Sequence, residues 1–244
     1  MRLYKYRKLE DGDLVAMGRF QDMLLKQEFW CARPDTLNDD QEFSWRCNYQ
    51  PTAHTIGLLA RLMSQERESA FAEMLEKIEA LVSTESLESL AAPAVADLIQ
   101  QCRSGIGLLC LGTSPSNPTL WHRYGGNGEG VCIELVAPEH LIEECFFSVQ
   151  YVHEKVVHID DLLRGYLDSP REMYSLALLT KSIKWKLEEE VRFISAAQNV
   201  PISMEGALSS VYLGAKLSEA VRNRVKDIAN SLPYKVELHE QSIT

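Results

Sequence analysis

The sequence predicts an α+β protein with a mixed or split antiparallel β-sheet core and a helical insert at about residues 55–104. Short runs rich in aromatic and β-branched residues, which are typical of strands, occur near the start of the chain and across its second half. Apolar residues at helical spacing fill the region between them. Strand runs at both ends with helices gathered in the middle favour α+β over a regular alternation of strands and helices.

The first part of the chain is expected to form a strand, a helix and a second strand. Residues 3–6 alternate and are rich in aromatic side chains, which predicts the first strand. The polar segment 11–13 ends it, and residues 14–26 suit a helix. Residues 29–32 predict the second strand. A turn is expected at residues 34–40, because Asn and Asp side chains hydrogen-bond nearby backbone groups.

The helical insert is predicted from two long amphipathic stretches. Apolar residues recur at helical spacing across residues 55–83 and again across residues 87–102. Pro93 is expected to break the second stretch, since proline lacks the N–H that a helix interior requires. A chain of 244 residues is long for one average domain and short for two. We therefore expect a single domain, 1–244, in which residues 55–104 form a helical insert or lid.

The second half predicts further strands separated by short helices. Pro138 and Pro170 stand where the first turn of a helix tolerates a missing N–H, so these two helix starts are the best supported. The predicted strands are residues 106–111, 131–136, 146–152, 191–194, 211–213 and 235–238. The predicted helices are residues 138–145, 160–167, 170–182 and 217–232.

The charge balance limits the classes of partner. The 35 acidic and 25 basic residues give a net charge of −10, which excludes a protein whose whole surface binds phosphate. A local basic pocket stays possible, for example around Lys181, Lys184 and Lys186, although these lysines also suit a solvated face. Nucleic acid is therefore a possible substrate and not a default partner.

Cysteine usage and hydropathy point to the cytoplasm. The six cysteines include no C-x-x-C pair, and several lie inside apolar runs such as residues 108–111, as expected for buried thiols in a reducing compartment. The basic first residues lead into an acidic segment and not into an apolar one, so no signal peptide is predicted. No stretch approaches the roughly 18 apolar residues that a membrane span requires.

A glycine-rich segment, residues 124–130, invites comparison with a phosphate-binding loop. A phosphate loop follows a strand and begins a helix, whereas here a predicted strand follows the glycines. The segment is therefore either a tight turn into that strand or a mobile loop over a pocket. Trp121, Arg123 and Tyr124 stand next to it. Aromatic faces stack on bases or nicotinamide and arginine pairs with phosphate, although packing alone explains the aromatics equally well.

Two kinds of catalytic site find no support in the sequence. The histidines show neither an i, i+4 pair on a predicted helix nor a cysteine at ligand spacing, so no metal site is predicted. The Gly-x-Ser-x-Gly motif of a nucleophilic serine is absent, and no cysteine lies near a histidine in sequence.

The strongest local signal is the segment that contains Glu188, Glu190 and Arg192. If a strand runs through it, these three side chains share one face while Val191 and Phe193 point to the core. Two carboxylates on one face beside an arginine suit acid/base chemistry or binding of ribose hydroxyls. The alternative is an exposed strand face with salt bridges. Nearby, Trp185 is interpreted as a packing residue.

Several short motifs, taken in order, resemble a bacterial family described as domain of unknown function 2971. Each motif is short, but together they span nearly the whole chain. That family often has a basic pair where this chain has Gly128 and Glu129, which weakens the case for phosphate binding by this loop. The matching residues are Tyr4, Tyr6, Phe29, Trp30, Arg33, Pro34, Leu37, Asn38, Asp39, Glu42, Trp121, Tyr124, residues 130–133, Lys181, Trp185, Glu188, Glu190, Arg192, Tyr212 and Gly214.

A looser resemblance is to ADP-ribosyltransferases, which are enzymes with a split β-sheet. They carry Arg or His on a first strand, an aromatic residue or Ser further in, and a catalytic Glu, often within Glu-x-Glu, on a late strand. By this resemblance Arg2, Tyr4 or Tyr6 takes the first position and Trp30 or Tyr124 the second. Residues 188–190 supply the Glu-x-Glu.

The second resemblance implies NAD as a substrate and requires no metal or cofactor. Glu190 would hydrogen-bond the ribose 2′-OH and stabilise the positive charge that develops as nicotinamide leaves. Glu188 would orient or deprotonate a protein or nucleic-acid acceptor. Such an enzyme in a bacterial toxin or phage-defence setting is the leading hypothesis. The residues expected to bind NAD are Tyr4, Tyr6, Trp30, Arg33, Trp121, Tyr124 and Arg192.

Two other functions stay open. A non-catalytic module would use Trp121, Tyr124, Trp185 and Arg192 as a recognition cleft for a nucleotide or a protein, with residues 55–104 as an interaction arm. A metal-independent nuclease or hydrolase suits the paired carboxylates less well, because nothing in the sequence supplies a nucleophile.

Overall fold

The computed structural model describes residues 1–38, 45–64, 68–84, 86–169 and 175–241. The architecture is α+β with mixed sheets. In chain order the strands are β1 Arg2–Lys8, β2 Glu28–Cys31, β3 Arg46–Asn48, β4 Gly107–Leu111, β5 Gly130–Val136, β6 Phe146–Ser148, β7 Gln150–Val152, β8 Val156–His158, β9 Thr180–Ser182, β10 Val191–Ser195, β11 Val200–Ser203, β12 Leu208–Leu213 and β13 Glu237–Glu240. The helices are α1 Leu14–Lys26, α2 Ala53–Met63, α3 Glu68–Thr84, α4 Leu87–Ser104, α5 Pro118–Arg123, α6 Glu139–Cys145, α7 Ile159–Asp168 and, in our numbering, α8 Glu219–Ser231.

The chain divides into two compact units. The first unit comprises residues 1–33, 106–149 and 184–244, and the second unit comprises residues 34–105 and 150–183. The predicted helical insert, residues 55–104, lies in the second unit. Residues 150–183 belong to the same unit, which the sequence pattern did not predict.

Among its described residues the first unit holds three sheets, and a bridge between Tyr4 and Gly112 joins the two larger ones. One sheet has the order β1-β5-β12-β13, antiparallel except for the parallel last pair, and the other has the order β4-β10-β6 and is antiparallel. Tyr4 of β1 and Gly112, just after β4, exchange backbone hydrogen bonds of 3.0 and 2.8 Å. Near the start of β4, Ala32 forms an isolated β-bridge with Leu108. Strand β2, which ends just before Ala32, pairs with β11. The result is the split, mixed sheet expected of this chain.

The four-stranded sheet buries different side chains on its two faces. Because neighbouring side chains in a strand point to opposite faces, Leu3, Ile133 and Val211 lie on the face that forms the main core. Helices α1 and α8 cover this core with Phe20 of α1 and Val225 of α8, both fully buried. The opposite face carries a second, smaller cluster, which is described with the functional site.

The second unit is mainly helical and has its own core. Helices α2, α4 and α7 contribute the buried residues Leu58, Ala91 and Leu162, and β8 contributes Val157. Two parallel strand pairs, β3 with β8 and β7 with β9, complete this unit. The hydroxyl of Thr52, the N-cap of α2, donates to the buried carboxylate of Asp160 at 2.8 Å, which ties the start of α2 to the start of α7.

The predicted elements match the structure closely in the first unit and less well in the second. The predicted strand at residues 146–152 is two strands, β6 and β7, that belong to different sheets. The C-terminal part of the predicted helix 170–182 is strand β9, and residues 175–178 are helical. The predicted helix start at Pro170, together with Asp39, Asp40 and Glu42, lies outside the described residues.

Pro93 does not break its helix, so that prediction was wrong. Helix α4 continues through Pro93 from Leu87 to Ser104. Leu87, Ala91 and Val95, on both sides of the proline, are buried against the same core. This shared burial holds the two halves in line, although the proline itself removes one backbone hydrogen bond.

Candidate functional site

Asn117 joins two elements that surround the predicted site. It is the N-cap of the short helix α5, where its Oδ1 accepts from the backbone N–H groups of Thr119 at 2.9 Å and Leu120 at 3.1 Å. Its Nδ2 donates to the backbone oxygen of Leu187 at 2.8 Å. Leu187 belongs to a 3₁₀ turn, Ile183–Glu188, so one buried amide fixes this turn against the start of α5.

An aromatic cluster underlies this site on the second face of the four-stranded sheet. Tyr6 and Trp121 meet edge to face with ring centroids 5.2 Å apart, and Trp121 Nε1 donates to the backbone oxygen of Pro115 at 2.8 Å. The Tyr6 hydroxyl donates to the backbone oxygen of Ser114. The cluster consists of Tyr4, Tyr6, Leu120, Trp121 and Cys132, with Tyr124 and Tyr212 packed against it.

The aromatic cluster changes the role of three residues expected to bind NAD. Tyr4, Tyr6 and Trp121 lie together in this cluster. However, they are buried, with Trp121 only 3% exposed, and their polar atoms are bonded to the protein. They form the support of the site and not a surface that a ligand can stack on. Tyr124, at the edge of the cluster, is partly exposed.

Glu188 lies at the end of the 3₁₀ turn and faces Tyr124. Its Oε1 accepts a hydrogen bond of 3.1 Å from the Tyr124 hydroxyl, and Arg123 Nη1 lies 3.8 Å from the same oxygen. The Arg123 guanidinium carbon lies 4.0 Å from the centroid of the Trp185 ring, a cation–π contact. Glu188 is 2% exposed, whereas Arg123 is exposed above it. A buried carboxylate therefore lies beneath an exposed, stacked arginine.

Glu188 and Glu190 do not share a strand face, because β10 does not extend back to them. Glu189 adopts a positive φ of 47° and ends the turn, and β10 starts only at Val191. Val191 and Phe193 do point into the core, as predicted. Side chains alternate between the two faces of a sheet only within a strand. The direction of the Glu188 side chain is therefore set by the turn that precedes β10.

Glu190 and Arg192 form a buried ion pair. Arg192 Nε donates to Glu190 Oε1 at 2.8 Å and Arg192 Nη2 to Glu190 Oε2 at 3.3 Å, so both carboxylate oxygens are bonded. Arg192 is fully buried, at 0% exposure. Burial lowers the pKa of Arg192 to about 9, which still leaves it charged at neutral pH. The exposed strand face considered from the sequence is therefore not what this pair forms.

A partly buried lysine lies near this pair. Lys5 Nζ donates to the backbone oxygen of Cys110, the residue opposite Arg192 in the β4–β10 register, at 3.1 Å. Burial lowers the pKa of Lys5, while the charge of Glu190 acts in the opposite direction. The Glu190–Arg192 pair therefore has a further hydrogen-bonded polar group, the Lys5 side chain, close to it.

The sequence missed a second buried carboxylate, that of Glu134 in β5. Glu134 is 1% exposed and accepts hydrogen bonds from the hydroxyls of Ser209 at 2.6 Å, Tyr212 at 3.0 Å and Tyr4 at 3.1 Å. Arg2 completes the set with an ion pair. The available signal was a glutamate in the middle of an otherwise apolar strand, since a charge in such a place requires partners.

The partners of Glu134 determine its ionisation. Burial by itself raises the pKa of Glu134, but the three hydroxyl donors and the charge of Arg2 outweigh it, so the pKa lies below its ordinary value. Burial and the nearby carboxylate raise the pKa of Tyr4 and of Tyr212 to about 12 each. Both tyrosines therefore remain hydrogen-bond donors at neutral pH.

Two other residues expected to bind NAD lie on a different part of the first unit. Trp30 is on β2, opposite Pro201 of β11, and is 57% exposed. Arg33 follows β2 and is exposed.

The glycine-rich segment is the tight turn into β5. A 3₁₀ turn, Gly126–Gly128, leads directly into the strand, and Gly126 and Gly128 have φ of 61° and 92°. A Cβ on Gly130 would lie 2.0 Å from the backbone oxygen of Arg7, so only glycine fits this position. This close packing favours the strand-entry turn over the loop across a pocket.

The remaining sequence-based expectations concern thiols, metals and membranes. Five cysteines, Cys31, Cys47, Cys110, Cys132 and Cys145, are free thiols, and the side chain of Cys102 lies outside those described. Burial raises the pKa of Cys31 to about 12. Within the described ranges, no group of three or more His, Cys, Asp or Glu side chains could hold a metal ion. No helix in the described part of the chain is long and apolar enough to cross a membrane.

Comparison with known proteins finds no relative: no protein-family model, no curated protein and no solved structure matches the chain. Function must therefore be inferred from the side chains themselves.

Proposed function

We propose that the first unit binds NAD and transfers its ADP-ribose group to an acceptor, as ADP-ribosyltransferases do, with Glu188 as the acting carboxylate. The observation that carries this proposal is the 3.1 Å contact between the Tyr124 hydroxyl and Glu188. It connects a late glutamate to the aromatic cluster built on the first strand. The three separated segments that the resemblance requires are thus adjacent in one unit.

The surface above Glu188 suits a dinucleotide. Arg123, which is exposed and stacked on Trp185, offers N–H groups to a pyrophosphate, and Lys184 Nζ lies 5.3 Å from the centroid of the same ring. Tyr124 and Trp185 are partly exposed, so an aromatic edge is available to a base or to nicotinamide. The positive charges of Arg123 and Lys184 attract an anionic ligand to this position, although the chain as a whole is negatively charged.

The proposed reaction breaks the bond between nicotinamide and ribose. Nicotinamide leaves with the bonding electron pair, and the positive charge left on the ribose is stabilised by the Glu188 carboxylate. A nucleophile of the acceptor then forms the new bond to the same carbon and releases its proton to Glu188. When the pyrophosphate draws Arg123 towards itself, Glu188 becomes accessible from above.

Glu190 supports this site in a different way. Both of its oxygens are bonded to the buried Arg192, so we assign it to positioning the start of β10 and with it the preceding turn. Its replacement leaves a buried charge uncompensated, which typically costs about 3–5 kcal/mol of stability.

The test measures NAD binding and nicotinamide release separately. NAD is titrated against the protein by calorimetry, and nicotinamide release is followed by chromatography in the presence of a bacterial lysate as the source of acceptor. Glu188→Gln is expected to slow release by roughly 10²–10³-fold while changing NAD affinity only slightly. Arg123→Ala is expected to weaken NAD binding by about tenfold or more.

Two further variants make the result specific. Glu189→Gln changes the exposed neighbouring carboxylate and is expected to leave release within about twofold of the unchanged protein. Glu190→Gln is expected to lower the thermal unfolding temperature. Failure of NAD to bind, or full activity of Glu188→Gln, contradicts the proposal.

A second candidate function is a nucleotide-binding module without catalysis. The Arg123–Trp185 stack favours it, since this stack provides recognition whether or not Glu188 reacts. NAD binding that depends on Arg123, without nicotinamide release by the unchanged protein, supports this second function over the first.

A further inference from the structure

The second unit contains an open apolar pocket that its own core does not fill. Helices α2, α3, α4 and α7 surround a volume of about 420 Å³. This lies within the range of roughly 300–1,000 Å³ that is typical of small-molecule sites. The pocket is independent of Glu188 and of the first unit.

The wall of the pocket is almost entirely aliphatic. Leu59, Leu62, Leu98 and Leu163 are typical of it, and among its described residues Tyr166 is the only aromatic one. Other large apolar side chains of the wall, Met63 and Leu81, are exposed to solvent. The four helices thus carry more apolar surface than the core uses, and exposed apolar surface of this kind marks a binding site.

The chemistry of the wall restricts the ligand. Nucleobases and sugars need hydrogen-bonding partners when they are buried, and a wall of leucine and valine side chains leaves their polar groups unpaired. Among the described residues that line the pocket, Asp97 is the only charged one, and it is exposed at the rim. A carboxylate at the entrance repels anionic head groups and attracts cationic ones.

We propose that this pocket binds the aliphatic chain of a small amphipathic molecule whose head group is cationic or uncharged and lies next to Asp97. The ligand enters as a single dissolved molecule, chain first. Recognition comes from burial of methylene groups in the aliphatic wall, and selectivity between head groups comes from Asp97.

The first test uses three probes with the same ten-carbon chain below their micelle-forming concentrations: decyltrimethylammonium, decanol and decanoate. Calorimetric titration of the whole chain is expected to show the tightest binding for the ammonium probe and the weakest for decanoate. Shortening the ammonium probe from ten to eight carbons is expected to weaken binding by about fourfold for each methylene removed. Binding of no probe, or affinity independent of chain length, overturns the proposal.

The second test uses variants of α4. Ala94 lines the pocket and is exposed, so Ala94→Trp places a large ring inside without disturbing the core and is expected to abolish binding. Ala96→Trp is the matched control, since Ala96 is also exposed on α4 but does not line the pocket. Asp97→Asn is expected to remove the preference for the ammonium probe over decanoate. Equal binding by both tryptophan variants, or an unchanged preference in Asp97→Asn, contradicts the site.

Discussion

At the scale of single residues, the first unit buries carboxylates whose environments differ. Glu190 is neutralised by Arg192 through two hydrogen bonds. Glu134 is held by several neutral hydroxyl donors and by the exposed Arg2. Glu188 accepts a hydrogen bond from the Tyr124 hydroxyl, and Arg123 lies 3.8 Å from the same oxygen. The three carboxylates are therefore buried beside different sets of polar groups.

The hydrogen bonds of Glu134 predict a pH dependence of stability. Because its pKa in the folded protein is lowered below the ordinary 4.5, its contribution to stability is complete above that pH. The contribution is lost as pH falls through the folded-state pKa. Glu134→Gln is expected to lower the free energy of unfolding by about 1–3 kcal/mol at neutral pH, and by less in acid.

Urea unfolding of both proteins at several pH values measures this difference. Glu144→Gln, an exposed carboxylate on α6, is the control and is expected to change stability by less than about 0.5 kcal/mol. A difference for Glu134→Gln that grows as the pH falls would show that the sign is wrong.

At the scale of elements, the position of Glu188 depends on short, irregular segments. A 3₁₀ turn, a residue with positive φ and one capping amide determine where the carboxylate lies. The turn into β5 similarly depends on close approach of backbone groups, because Gly130 lies against the oxygen of Arg7. These segments bring α5 and β10 close together.

Two glycine substitutions with opposite outcomes test this dependence. Gly130→Ala forces a Cβ against backbone atoms and is expected to cost at least about 3 kcal/mol. Gly18→Ala is expected to stabilise by about 0.5–1 kcal/mol, because Gly18 is exposed in α1 and a Cβ there meets nothing within 4 Å. Chemical denaturation measures both, and equal effects of the two substitutions would argue against the tight turn.

At the scale of the whole molecule, the net charge of −10 governs encounters with polyanions. Arg123 and Lys184 both lie beside the Trp185 ring, so positive charge is concentrated there within a chain that is acidic on balance. A net negative charge repels long anionic polymers, whereas a local group of basic side chains attracts a single small anion.

Non-specific binding to duplex DNA is therefore expected to be absent at physiological salt. Fluorescence anisotropy with a labelled duplex of random sequence measures it, and dilution of the salt is expected to produce at most weak binding. Micromolar affinity with a steep dependence on salt concentration would contradict this expectation.

The amino-acid pattern alone was sufficient to predict the α+β class and most of the longer strands and helices. These features follow from periodicity and from proline and glycine, which act between residues close in sequence. Helix α8 is an example, since its buried apolar residues recur at helical spacing. Strand β5 is another, since it is a short apolar run that follows a glycine-rich turn.

Only the tertiary structure determined which polar groups share a buried site. The partners of Glu134 come from Arg2 and Tyr4 at one end of the chain and from Ser209 and Tyr212 near the other. The three-residue strand pairs of the second unit and its apolar pocket likewise depend on remote segments. Periodicity reports which face of an element is buried, but it does not report what lies opposite that face. Residues distant in sequence determine that, as Tyr124 does for Glu188.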